Sequence, residues 1–191
     1  MATCNYVARK YGVHSAMAAI QAVRLVPKEL IVFTRPRFDK YRAVSAKIHS
    51  FMHDVTDQVE SVALDEAYLD VTHPKIEQES AVQIALDLQK RIRQEVGLNS
   101  SFGVSYNKFL AKMGSEYAKP FGRTVILPSE VQNFLAMQKI EKFPGIGPKT
   151  QEELHQMGVY TGADLQKIEV LTLIKKFKKM GYILALSLIH I

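Results

Sequence analysis

Apolar residues recur every three or four positions in residues 38–55 (Phe38, Tyr41, Val44, Ile48, Phe51 or Met52, Val55). They recur again in residues 79–96, at Ala81, Ile84, Ala85, Leu88, Ile92 and Val96, where Gly97 is placed to stop the run. This spacing matches the turn of an α-helix and predicts two amphipathic helices with those side chains inward. Between them the period changes. Val59, Val62 and Leu64 precede Asp65-Glu66, and Ala67, Leu69 and Val71 follow it, which predicts two short strands over residues 58–72 with the two acids at their junction.

Upstream, residues 5–10 predict a helix carrying Tyr6, Arg9 and Lys10, closed by Gly12. Residues 15–25 predict a second helix, burying Ala16, Ala19, Ile20 and Val23 and stopping before Pro27. Residues 30–33 read as a strand and 35–37 as a turn. Downstream, residues 101–105 read as a strand, 107–118 as a helix and 123–127 as a strand. A helical region then runs from Pro128 onward, which puts a boundary near Leu127. The order of strands and crossing helices predicts an α+β fold: a ferredoxin-like, split βαβ layer with an antiparallel or mixed sheet and helices on one face.

Composition narrows the picture. A chain of 191 residues can hold one domain and a smaller second one. The formal net charge of +6 makes a polyanionic partner plausible. The single cysteine, Cys4, excludes an internal disulfide and a cysteine-based zinc site. The first residues lack the basic-then-apolar pattern of a secretory signal, and no apolar run reaches about 18 residues, so the expectation is a cytoplasmic protein without a membrane partner.

Two stretches carry chemistry. Adjacent carboxylates in a mostly apolar hairpin repel each other and lose hydration unless a positive group compensates them. Neighbours on a regular strand point to opposite faces, so for Asp65 and Glu66 to reach one cation the chain must bend or bulge there. A hard divalent ion such as Mg²⁺ suits such a pair. The second stretch is Phe143-Pro-Gly-Ile-Gly-Pro-Lys-Thr, where Gly145 and Gly147 form a tight turn and a helix opens at Pro148. Its outward backbone N–H groups can hold a phosphate without reading a base, as in a helix-hairpin-helix module. Lys175, Lys176, Lys178 and Lys179 form the densest positive patch, either a solvated face or a duplex contact. The histidines lack metal-site spacing, and Cys4 reads as a structural thiol.

With those motifs placed, the chain resembles the Y-family DNA polymerases, most closely the bacterial DNA polymerase IV type. The resemblance rests on Thr3-Cys-Asn-Tyr-Val-Ala-Arg-Lys-Tyr-Gly, Leu64-Asp-Glu-Ala-Tyr-Leu-Asp-Val-Thr, Gly103-Val-Ser-Tyr-Asn-Lys-Phe-Leu-Ala-Lys-Met with Ala118-Lys-Pro-Phe-Gly, and Phe143-Pro-Gly-Ile-Gly. It implies partial fingers (1–29), a palm (30–127), a thumb with the helix-hairpin-helix (128–185) and an atypical tail (186–191). It implies a translesion, template-directed polymerase that adds dNTPs to a primer 3′ end. Asp65 and Glu66 would be catalytic carboxylates for two Mg²⁺ ions. Thr3, Tyr6, Arg9 and Lys108 would bind the triphosphate, and Gly145, Gly147, Lys149 and Thr150 the DNA backbone. The implied partners are primer-template DNA, dNTP and, for the full-length protein, a sliding clamp.

The sequence departs from the family pattern in lacking a preceding strand with a further catalytic aspartate and an aromatic ribonucleotide gate, and a later DNA-gripping domain. The expectation is a truncated chain that is catalytically crippled alone. The alternative is a non-catalytic helix-hairpin-helix DNA-binding protein in which Asp65 and Glu66 are inert, and a third reading is a fragment that binds no DNA.

Overall fold

The computed structural model of the chain describes residues 1–78 and 80–189, the last four of these by backbone only. The expectations placed on Glu79 and His190 lie outside the described residues. The chain divides into two compact units, Met1–Lys40 and Tyr41–Ile191.

In the first unit, helix α1 (Tyr6–Lys10) starts where the Asn5 side chain accepts a hydrogen bond from the Ala8 N–H at 2.9 Å. Gly12 follows it with φ +84°. Helix α2 (Ala19–Leu25) begins four residues later than the spacing predicts, because Ala16 sits at φ 66°, a left-handed conformation that a helix cannot contain. Its buried face is also turned from the predicted one. Ala22 is buried with Val13 and Val26, with Met1, Cys4, Ala8, Met17 and Ile31 packed around them, whereas Ala16 and Ala19 are exposed and Ile20 is 63% exposed. The strand expected at residues 30–33 does not form. Lys28–Leu30 is a 3₁₀ turn, and Val32 is 82% exposed. A strand needs a neighbour to take its N–H and C=O groups, and among the described residues no ladder reaches this segment, so its apolar composition alone does not suffice.

The second unit begins inside helix α3 (Phe38–Val55), whose bounds match the periodic run. Only its C-terminal half is fully buried, at Phe51 and Val55, and Phe38 and Tyr41 are exposed. The hairpin follows as β1 (Val59–Ala63) and β2 (Glu66–Leu69), paired antiparallel with Val59 opposite Leu69. Buried Thr56 anchors its open end by donating to the Asp70 carbonyl at 2.7 Å while its oxygen accepts from the Gln58 N–H. Helix α4 (Ala81–Val96) is capped by the Ser80 hydroxyl and ended by Gly97 at φ 75°. Arg91 on α4 ties it to α3 by an ion pair to Asp54 at 2.7 Å, with its guanidinium 4.1 Å from the Phe51 ring centre.

Strand β3 (Phe102–Val104), helix α5 (Lys108–Tyr117) and strand β4 (Arg123–Val125) form a βαβ unit with β3 and β4 parallel. Asn107 caps α5 by accepting from the Leu110 N–H at 2.9 Å. The helix lies so close on β3 that a Cβ on Gly103 would fall 2.1 Å from the Ala111 carbonyl oxygen. The strand pairing is thus mixed and the fold α+β, with the described strands in two separate two-stranded ladders.

After a 3₁₀ turn at Pro128–Glu130 the chain is helical: α6 (Val131–Met137), α7 (Pro148–Gln156), α8 (Gly162–Leu165), α9 (Val170–Phe177) and α10 (Lys179–Ile189). One apolar core joins α5 to this bundle. It includes Leu110, Met113 and Ile126 together with Leu135, Ile140, Phe143, Leu154, Leu165, Leu173 and Leu184. No described helix is long and apolar enough to cross a membrane.

Candidate active site and nucleic-acid interface

The two acids sit where the hairpin reverses. Leu64 and Asp65 form the turn, Glu66 opens β2, and the ladder register shifts between Ser61 and Ala63. The chain thus reverses immediately before Glu66, and the irregularity in the ladder lies in β1. Asp65 is exposed and Glu66 half-buried.

Helix α5 supplies the compensating charge. Lys112 donates to the Glu66 carboxylate (Nζ to Oε1, 2.5 Å) and to Glu116 one turn further on at 3.2 Å, and Lys119 donates to Glu116 at 2.6 Å. Burial alone would lower the Lys112 pKa, but its hydrogen bonds to Glu66 and Glu116, and their charges, raise it above the ordinary lysine value. Burial alone would raise that of Glu116, and its bonds to Lys119 and Lys112 instead hold it below the usual carboxylate range. Lys108, one turn before Lys112, pairs with Glu60 on β1, its ammonium 5.8 Å from the Tyr68 ring centre. Lys112, Glu116 and Glu60 were not singled out from sequence. Their signal is the i, i+4, i+8 spacing of Lys108, Lys112 and Glu116, which puts all three on one face of α5.

In the N-terminal unit, Thr3, Tyr6 and Arg9 are all exposed, Tyr6 at 54%, so the tyrosine does not serve as core there. Arg9 lies 5.9 Å from the Tyr6 ring centre, and Thr3 shares a 3.4 Å hydroxyl contact with Ser15. The Cys4 thiol donates to the Val13 carbonyl at 3.3 Å, a structural bond. Asp70 is exposed at the far end of the hairpin, and hydrogen bonds from Thr72 hold its pKa below the usual value.

The glycine turn sits on a buried base. Phe143 is 2% exposed, and its ring meets that of Phe109 on α5 at 6.0 Å between centres. Gly145 has φ +89°, and Gly147 is the N-cap of α7 with Pro148 at the first helical position. A Cβ at Gly147 would meet nothing within 4 Å. Lys149 is exposed and Thr150 half-buried in the first turn, where helix N–H groups have no intrahelical acceptor. Gly145, Gly147, Lys149 and Thr150 thus surround one helix start, with partial positive charge facing outward.

A divalent cation would find two adjacent carboxylates at the hairpin turn. Among the described residues no group of three or more His, Cys, Asp or Glu is arranged to hold a metal. Asp65 and Glu66 fit a hard ion that completes its shell with substrate oxygens and water, and do not form a cage by themselves.

The acidic turn, with Glu66 paired to the lysine-bearing helix α5, is followed in the chain by a glycine turn at a helix start. The chain belongs to the impB/mucB/samB family, the Y-family DNA polymerases, whose model matches residues 1–116. The helix-hairpin-helix motif of the same family matches residues 128–159. Among curated relatives, the DNA polymerase IV of Streptococcus pneumoniae serotype 2 is 50% identical over 182 residues, covering 95% of this chain and 51% of the relative. That of Streptococcus gordonii is 51% identical with the same coverage. The chain thus spans about half the length of the curated relatives it matches. Among solved structures, the crystal structure of DinB from Sulfolobus solfataricus superimposes with a TM-score of 0.85 at 32% identity, over 96% of this chain and 54% of that one. An insertion ternary complex of Dbh DNA polymerase gives 0.84 at 32% identity, with the same coverage.

Proposed function

We propose that the chain serves template-directed DNA synthesis of the lesion-bypass type, in which a deoxynucleotide is added to a primer 3′ end and pyrophosphate leaves. The observation that carries this reading is the Asp65-Glu66 pair at the hairpin reversal, with Glu66 held by Lys112 of α5, in a chain of this family. Two bound Mg²⁺ ions would supply charge stabilisation to the attacking 3′-oxygen and the leaving pyrophosphate.

The chain's own residues bind and orient. Asp65 and Glu66 offer hard oxygen ligands. Lys108 offers a point charge that exchanges Glu60 for a phosphate oxygen, since both members of that pair are exposed. In the N-terminal unit Arg9 offers a forked cation, and Thr3 and Tyr6 offer hydroxyl donors. Gly145, Gly147, Lys149 and Thr150 hold a DNA phosphate through backbone N–H groups and one ammonium. We further propose fingers at 1–29, palm at 30–127 and thumb at 128–185 as the working division.

Titration of a fluorescent dNTP with and without Mg²⁺ tests the reading. Affinity is expected to rise with Mg²⁺ in the wild type and to lose that dependence in Asp65→Ala. The 191-residue chain is expected to extend a primer very slowly, since no third metal ligand stands beside the pair among the described residues. A second reading, a DNA-binding protein without catalysis, is favoured by the engagement of Glu66 with Lys112. It prevails if Asp65→Ala leaves nucleotide affinity unchanged while Lys149→Ala weakens duplex binding.

A further inference from the structure

We infer that Lys112 is a positioning residue that holds the Glu66 carboxylate in place of a metal ion and releases it to the ion by turning to Glu116. This deepens the metal reading of the hairpin and rests on it. The four side chains Glu66, Lys112, Glu116 and Lys119 alternate in charge, with contacts of 2.5, 3.2 and 2.6 Å. Lys112 is the least exposed of them, at 26%. A half-buried carboxylate next to Asp65 needs a counter-charge when no cation is bound, and Lys112 is that charge.

When a divalent ion takes Glu66, a lysine with no other partner would be left half-buried and unpaired, which opposes metal entry. Glu116 removes that opposition. It lies one helical turn from Lys112 on α5 and already accepts from it, so the ammonium keeps a carboxylate after Glu66 departs. Lys119, bonded to the same Glu116 oxygen, holds that carboxylate facing Lys112. The pair exchange therefore moves Glu66 from one cation to another without exposing either charge.

Removal of Lys112 and removal of Glu116 are expected to have opposite effects, which a purely structural role does not predict. Mn²⁺ binding to the full chain is measured by water-proton relaxation, with thermal melts to confirm folding. Lys112→Met frees Glu66 and is expected to tighten Mn²⁺ binding about two- to fivefold, as the loss of one partly exposed ion pair allows. Glu116→Gln leaves Lys112 with Glu66 alone and is expected to weaken it by a similar factor, whereas Lys112→Arg stays near wild type. Glu66→Gln separates the two claims. If it leaves Mn²⁺ binding intact, or if the wild type binds none, the metal reading falls and the inference with it. If Glu66→Gln weakens binding but Lys112→Met and Glu116→Gln shift it equally or not at all, the exchange alone is overturned.

Discussion

Two glycines of one turn answer to different demands. Gly145 holds φ +89° and a Cβ there would come 3.2 Å from the Met180 methyl, so Gly145→Ala is expected to cost about 1–2 kcal/mol in a thermal or urea melt. Gly147 has an ordinary φ of −87° and open space where its side chain would be. Gly147→Ala should change stability by no more than about 1 kcal/mol. On the proposed DNA contact it should nevertheless weaken duplex binding in fluorescence anisotropy, because a methyl would fill the open space beside the backbone. Lys149→Ala should weaken binding evenly across DNA sequences and lower the salt slope by about one. The turn was legible because proline and glycine act locally. Which glycine is crowded and which faces open space was not, since that depends on Met180, far along the sequence. For the same reason Asp65 and Glu66 could be read as needing a cation, but not that Lys112 is the nearer one.

At the scale of elements, the legible ones are those whose signals lie within the segment. Helices α3 and α4 carry their own period, and Asn107 and Gly97 mark ends that the structure keeps, while Ser80 supplies the cap of α4. The misread segments depend on neighbours. The buried face of α2 is chosen by Val13 and Val26 and not by its own period, and residues 30–33 find no ladder among the described residues. The seat of α5 on β3 likewise depends on two glycines distant in sequence, since a Cβ on Gly114 would lie 3.2 Å from the Gly103 Cα. Gly103→Ala must push the helix outward, at a cost of roughly 1–3 kcal/mol. Because α5 carries Lys108 and Lys112, the same change should loosen their pairs with Glu60 and Glu66, visible as faster hydrogen exchange in β2.

For the molecule as a whole, three carboxylates and one lysine have shifted pKa values that link stability to pH. Glu116, Asp70 and Asp164 all have pKa values held below those of free carboxylates, Asp164 chiefly by the hydrogen bond from Thr161. A carboxylate of depressed pKa contributes stability above its unfolded value of about 4, and loses it as pH falls through the folded one. These three groups should therefore lower the melting temperature as pH falls below about 4, less steeply in Glu116→Gln. Lys112, with its value raised, acts at the other end: its contribution is complete below about pH 10.4 and is lost as pH rises through the folded value. Electrostatic attraction to a polyanion follows the net charge of +6 and should weaken with added salt.

The contact of Phe109 with Phe143 has a further consequence. One ring follows Lys108 directly in the chain and the other heads the glycine turn, so their contact ties the start of α5 to that turn. Rings so lodged leave little slack. The start of α5 and the glycine turn are thereby coupled, so that a shift of either must carry the other with it.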